Sequence, residues 1–408
     1  MSNFSDTEYA IARFLGKVPI LKRSIKYFWQ QASFFFNKPA FKSECDFHVV
    51  RLSSTSRPGF FGYYDLSPVN PSGTHIAFHE MKENGMRSSI AEIVVLDLVS
   101  NERKVIGETS MFNLQSGSRL QWLNESEIIY NFQKDEYSTC GTLRYDISTG
   151  QSRFYPFPVF VSDEHFAYSV NLQALLKSGN EYAYRKMKLE VEEEDEPMIC
   201  RMDWRSGQSI AILTRLKLIR AGNREFPADC IHTVNHLMIS PDKKKLLFIH
   251  RWYSSEGKSD RLMLLEIKDD SLKILNDEMS SHCCWLNEST IMGYMRHEGR
   301  DGYFLVTTSG ELSNLLPASD LPVRDGHPST AMNCIVFDTY PDKRRMQSLF
   351  LTRGDKTERI ARFFSPITFN PYYRCDLHPR LNTNASCIFI DSDHDGLRSL
   401  YMIDLTAK

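Results

Sequence analysis

The sequence predicts an all-β fold: a seven-bladed β-propeller with an N-terminal helical appendage. Three observations lead there. Paired β-rich runs around polar turns recur along the chain, a second short element precedes each pair, and sustained helical periodicity is scarce. The 408 residues would otherwise suit two or three ordinary domains.

The hairpins read IAEIVVLDLVSNERKV, GTLRYDISTGQSRFYP, ICRMDWRSGQSIAIL, RLMLLEIKDDSLKIL and GYFLVTTSGELSNLL. Each carries β-branched or aromatic residues inside and Gly, Asn, Asp or Ser at its tip. The element ahead of them begins at Asp65 (DLSPVNPSGTHIAFH), Arg119 (RLQWLNESEIIYNF), His236 (HLMISPDKKKLLFIH), His282 (HCCWLNESTIMGYM), His327 (HPSTAMNCIVFDTY) and His378 (HPRLNTNASCIFIDS). The steps are 46 residues from His236 to His282, 45 to His327 and 51 to His378, with 54 from Asp65 to Arg119. The gap from Arg119 to His236 holds one weaker unit beginning near Val161, with the acidic run Glu190–Glu196 as a solvated insertion. Seven units of four short strands make a propeller. The last unit ends at Leu405 after three strands, so residues 47–54 supply its outer strand and remove an open edge. The expected division is an appendage over 1–44 and a propeller over 45–408.

A composition of 42% hydrophobic and 25% charged residues is that of a soluble globular chain. A net charge of -2 argues against a general nucleic-acid binder, and no apolar run of 18 residues offers a conventional membrane span. The nine cysteines are scattered, include the pair Cys283-Cys284 and form no CxxC, which reads as reduced thiols in a cytoplasmic protein. One local asymmetry stands out. From Ala10 to Ser43 there are seven basic residues and no acidic one, interleaved with Phe14, Tyr27, Phe28, Trp29, Phe34, Phe35 and Phe36. Basic residues interrupt any apolar core, so this is not a good signal peptide. Two readings stay open: peripheral contact with the inner membrane through residues 10–43, or a helix packed across the main domain.

In a blade, the residue opening the innermost strand lies at one rim of the central channel, so equivalent positions from different blades converge. Four of the 12 histidines (His236, His282, His327 and His378) share that register with Asp65 and Arg119. Convergent imidazoles suit a metal; the plainer alternative is that each caps a strand. Asp376 and His378 are two apart and face one side of a strand. A carboxylate beside imidazoles suits manganese, calcium or zinc. Nearby Tyr64, Arg324 and Arg374, with Tyr340 at a hairpin tip, suit an anionic, hydroxyl-rich ligand. The stretch Asp391–Gly396 lacks the closing Glu of a calcium loop and reads as a hairpin. No Cys-His-Asn arrangement is readable around the cysteine pair.

The blade-opening histidines, the SPD turn after His236 and the segment DLHPR resemble the oligogalacturonate lyase family, whose propellers are related in repeat style to the TolB propeller. The resemblance is specific from His236 onward. It implies a divalent metal, typically manganese, with His282 in the place of the catalytic histidine, and His327, Asp376 and His378 in or beside the metal-ligand positions. The family's glutamine is absent. The chain also resembles propellers that accompany bacterial capsule and O-antigen synthesis genes. The expected function is β-elimination on a uronate-containing oligo- or polysaccharide, with His282 or His236 as base and Arg119 beside them, and with Tyr64, Asp65, Arg324, Arg374 and Tyr340 on the substrate. Two alternatives stand beside it: a non-catalytic carbohydrate- or protein-binding propeller, and another glycan enzyme such as a hydrolase or transferase.

Overall fold

The structure, a computed structural model, describes residues 19–83, 88–134, 140–179, 183, 184, 187, 195–255, 257–314 and 324–407. The basic residues Arg13 and Lys17 and most of the acidic run, residues 190–194, lie outside the described residues.

The strands form seven antiparallel sheets, the blades of a propeller. From the channel outward, blade 1 comprises Gly59–Phe60, His75–Met81, Ala91–Asp97 and Arg103–Thr109, and blade 2 comprises Gln121–Trp122, Glu127–Phe132, Gly141–Asp146 and Ser152–Tyr155. Blade 3 runs Val161–Ser162, Phe166–Val170, Pro197–Asp203 and Ser209–Thr214, at the place where the weaker unit is expected. Blade 4 runs Ile231–Ile239, Lys245–Ser254, Gly257–Glu266 and Leu272–Asn276. Blade 5 runs Ser280–Trp285, Thr290–His297, Arg300–Thr307 and Leu312–Asn314, and blade 6 runs Pro328–Ala331, Cys334–Asp338, Met346–Arg353 and Lys356–Phe364. Blade 7 supplies only Arg380–Leu381, Cys387–Ser392 and Ser399–Asp404 from its own stretch of chain.

Both faces of a blade are covered by its neighbours, so its middle strands read as continuous apolar runs rather than as alternating ones. In blade 4, Leu246 and Phe248 join Ile199 and Leu213 of blade 3 in one core layer. Their neighbours Leu247 and Ile249 join Cys283 and Ile291 of blade 5 in the next. The two-residue period of a strand thus deals side chains alternately to two cores.

Ring closure follows the sequence expectation. His48–Arg51 pairs antiparallel with Ser399–Asp404, setting Val49 opposite Ile403 and Val50 opposite Met402. The backbone N–H of Leu52 donates to the Leu400 carbonyl at 2.9 Å. Just ahead of it, Ser43–Cys45 adds a fifth strand to the outer edge of blade 6. The helix Pro19–Phe36 lies against the same blade, with Phe34 on Phe364 (5.6 Å between ring centroids) and Tyr27 on Phe369 (5.4 Å).

The innermost strands are broken near the channel. Pairing shifts register between Asn235 and Met238 and between Ser280 and Cys283. Arg119, His236 and His378 have left-handed φ of 55°, 53° and 44°. Bulges re-aim side chains, and left-handed backbone at non-glycine residues concentrates at functional sites.

If the 48–51 strand carries the closure, Val50→Pro removes a ladder donor opposite Met402 and costs about 1–3 kcal/mol. Its thermal midpoint should fall by several degrees in a calorimetric scan; an unchanged midpoint would show that the ring does not depend on this strand.

Candidate metal centre in the channel

The four blade-opening histidines meet. Ring centroids are 5.4 Å apart from His236 to His282, 4.2 Å from His282 to His327 and 4.4 Å from His327 to His378. The Tyr63 ring stands among them, with centroid distances of 5.3, 6.4, 6.0 and 4.9 Å to the four in that order. All four imidazoles are buried.

Three side chains in this cluster could hold a metal. One donor atom each of His327, Asp376 and His378 lies within 4.8 Å of the other two. The residues fit such an ion on an observation independent of that spacing. His378 donates its Nδ1–H to the Gly62 carbonyl at 2.9 Å, which leaves the Nε2 lone pair, and this buried atom has no hydrogen-bond partner. Burial, together with the nearby His327 and Arg380, holds the His378 imidazole well below the ordinary histidine range, so it is neutral, as a ligand must be. His327 is oriented by a carboxylate: its Nδ1 donates to Asp338 at 2.9 Å, and its backbone N–H reaches the same oxygen at 2.7 Å. Burial pulls the His327 imidazole down, but Asp338, Asp376 and Asp325 outweigh it and its pKa is raised. Metal-ligating histidines commonly carry this kind of outer hydrogen bond, which fixes tautomer and ring direction. The Asp376 carboxylate is gripped by Arg374, whose Nε donates to both oxygens at 3.0 and 2.8 Å. Burial alone would raise the Asp376 carboxyl; Arg374 and His327 reverse this and lower it.

His282 stands beside the triad. Its Nδ1 donates to Asp325 Oδ1 at 2.8 Å, while Ser281 Oγ donates to Oδ2 at 2.7 Å. Burial lowers the His282 pKa, with Asp325 partly opposing and His327 assisting. The result is a neutral imidazole in a fixed orientation beside a carboxylate able to stabilise its cation. His236 shares a hydrogen bond with the Tyr63 hydroxyl at 2.9 Å, and burial, aided by His282, pushes it well below the usual range.

The remaining expected residues divide. Tyr340 reaches the cluster, its ring 5.6 Å from His327 and 6.3 Å from His282, with the Arg374 guanidinium 5.3 Å over it. Arg324 is partly buried on the loop that carries Asp325. Arg119, expected among the catalytic groups, and Asp65, expected on the substrate, instead form a buried bidentate ion pair at 3.1 and 2.7 Å. Arg119 Nε also donates to the Phe160 carbonyl at 2.6 Å, so the pair ties blades 1 and 2 to the loop entering blade 3. Tyr64, expected on the substrate, is a buried strut: its hydroxyl donates to the Cys283 carbonyl at 2.9 Å and accepts the Cys283 N–H at 3.1 Å. Burial pushes the Cys284 thiol up to about 12 and Cys283 up as well, so neither is a nucleophile.

Sequence reasoning gave no role to Asp338 or Asp325, which orient His327 and His282. The strand register explains the pairing of Asp338 with His327. Ala331 pairs with Cys334 and Pro328 with Phe337, so the next residues outward, His327 and Asp338, face each other.

The fold and site together define a seven-bladed propeller with a histidine–carboxylate cluster in its channel. Solved structures share the fold. An oligogalacturonate lyase in complex with manganese superposes with a TM-score of 0.62 at 16% identity, over 90% of this chain and 95% of that one. An oligogalacturonate lyase from Vibrio parahaemolyticus gives 0.61 at 12% identity, over 90% and 98%. No protein-family model and no curated protein matches the chain.

Two predictions follow from the cluster. Isothermal titration with Mn(II) should show equimolar binding, lost in His327→Ala and His378→Ala and weakened about 10- to 100-fold in Asp338→Asn; binding unchanged in all three would remove the centre. The second concerns acid stability. His79 and His232 are lowered to about 4, chiefly by burial, and His236, His250, His282 and His378 are lowered by burial too. Unfolding lets these groups take up protons near their unfolded pKa of about 6.5, so the stability they contribute is present above that value and lost as pH falls through the folded ones. His327, raised, acts in the opposite sense. The thermal midpoint should therefore drop steeply between about pH 6.5 and 4; a flat midpoint across that window would contradict the burial of neutral imidazoles.

Proposed function

We propose that the protein is a metal-dependent lyase that cleaves a uronate-containing glycan by β-elimination. The observation that carries this reading is one juxtaposition: a candidate three-donor metal set with a neutral, carboxylate-oriented imidazole, His282, whose ring centroid lies 4.2 Å from that of His327.

His327, Asp376 and His378 would hold the ion. Two imidazoles and one carboxylate favour manganese or zinc over calcium, which takes oxygen ligands. Bound there, a divalent cation supplies a Lewis acid that neutralises the uronate carboxylate and makes the adjacent C5 proton acidic. Nε2 of His282 takes that proton while Asp325 stabilises the resulting imidazolium, as a carboxylate does for a catalytic histidine elsewhere. The C5–H electron pair forms the C4=C5 double bond, the C4–O bond breaks, and the leaving oxygen takes a proton from solvent water. Arg374 and Tyr340, stacked at the edge of the cluster, offer a cation and a flat ring to an acidic sugar. The oligogalacturonate lyases that share the fold bear names that fit this chemistry, and one of them is a manganese complex. Hydrolysis, which needs two facing carboxylates, is less well supported, because the channel carboxylates Asp65 and Asp376 are each held by an arginine.

The test is the ultraviolet absorbance of an unsaturated uronate product, followed with manganese-loaded protein on a panel of acidic glycans. We expect absorbance to grow on at least one of them and to fall about 10²- to 10⁴-fold in His282→Ala. Tight glycan binding without any absorbance change would instead make the protein a binding module. Asp325→Asn should lower kcat and shift the acidic limb of the pH–rate profile to lower pH, since Asp325 raises the His282 pKa. An unmoved limb would assign the base elsewhere.

A further inference from the structure

The helix Pro19–Phe36 is amphipathic in an inverted sense. Tyr27 and Phe34 face the propeller, on Phe369 and Phe364. The opposite face shows Ile25, Phe28, Trp29, Phe35 and Phe36 to solvent, at 43%, 70%, 47%, 69% and 82% exposure. Positions 25, 28, 29, 35 and 36 fall on one stripe of a 3.6-residue helix. Phe369, beside Tyr27 on the propeller side of the helix, is 55% exposed. Five of the ten large exposed apolar side chains among the described residues therefore lie on this one stripe, whereas scattered single ones are ordinary.

Charge identifies the occupant. The segment from Ala10 to Ser43 holds seven basic residues and no acidic one, and the helix itself contains Lys22, Arg23 and Lys26. Glu44, the next acid, is already paired with Arg362 at 2.6 Å. An apolar aromatic stripe on a basic helix matches the interface of an anionic bilayer, where rings enter the headgroup layer and lysines meet lipid phosphates. No described helix is long and apolar enough to cross a membrane, so this one would lie in the interface plane. The strand Ser43–Cys45, hydrogen-bonded to blade 6, fixes the helix to the ring.

We infer that this helix face docks the propeller onto an anionic lipid surface. Co-sedimentation of the full chain with vesicles tests it, using phosphatidylcholine alone and an equimolar mixture with phosphatidylglycerol. Binding is expected to the mixture only, to weaken as salt rises, and to blue-shift the emission of the exposed Trp29. The combined variant Phe28→Ser, Trp29→Ser, Phe35→Ser and Phe36→Ser should bind at least about tenfold more weakly, with unchanged circular dichroism and Mn(II) titration. Lys22→Gln, Arg23→Gln and Lys26→Gln together should abolish the preference for phosphatidylglycerol. Protein that stays in the supernatant with anionic vesicles overturns the inference, as does equal pelleting of the aromatic variant. A wild-type dimer and a monomeric aromatic variant in sedimentation velocity, with neither pelleting, would assign the face to a second copy instead.

Discussion

One carboxylate organises the channel. Asp338 accepts the backbone N–H of His327 at 2.7 Å and of His378 at 3.2 Å, and also the imidazole N–H of His327 at 2.9 Å. It thereby sets two candidate metal ligands, from two blades, at a fixed separation. The chain must come very close to itself to achieve this. A Cβ on Gly326 would lie 1.8 Å from the Asp338 carbonyl oxygen, so only glycine fits there. A buried carboxylate with three donors is tolerable; removing a partner from such a network typically costs about 3–5 kcal/mol. The site and the stability of blades 6 and 7 are therefore coupled.

The same economy appears where the ring closes. Asp391 of blade 7 accepts the N–H groups of Phe61 and Gly62 at 2.9 and 3.1 Å and pairs with the buried Arg380 at 3.1 Å. The Gly62 carbonyl in turn receives Nδ1–H of His378. The joint between the first and last blades is thus also the support of an imidazole in the candidate metal site. Arg119 with Asp65 and Arg374 with Asp376 repeat the device of a buried or half-buried arginine held by a carboxylate. A net charge of -2 conceals this internal pairing, because each partner cancels the other.

The repeat spacing made the blades, their number and the closing strand legible, because every blade must bring its innermost strand back to one axis. It also located the four histidines and the triad of His327, Asp376 and His378. Register fixes position but not partnership. Asp65 and Arg119 hold the expected places, and opposite charge on adjacent blades bonds them to each other. Asp338 was hidden by its turn. Met332 and Asn333 both take left-handed φ, 48° and 60°, a conformation expected of Asn but not of Met. Without that turn the pairing of His327 with Asp338 cannot be counted from the sequence.

Anomalous diffraction from crystals soaked in manganese would test the central claim most directly. The account predicts one strong anomalous peak bonded to His327, Asp376 and His378, with His282 beside it and not among its ligands. An absence of any peak in the channel, or a peak at the Asp391–Gly396 turn instead, would contradict it.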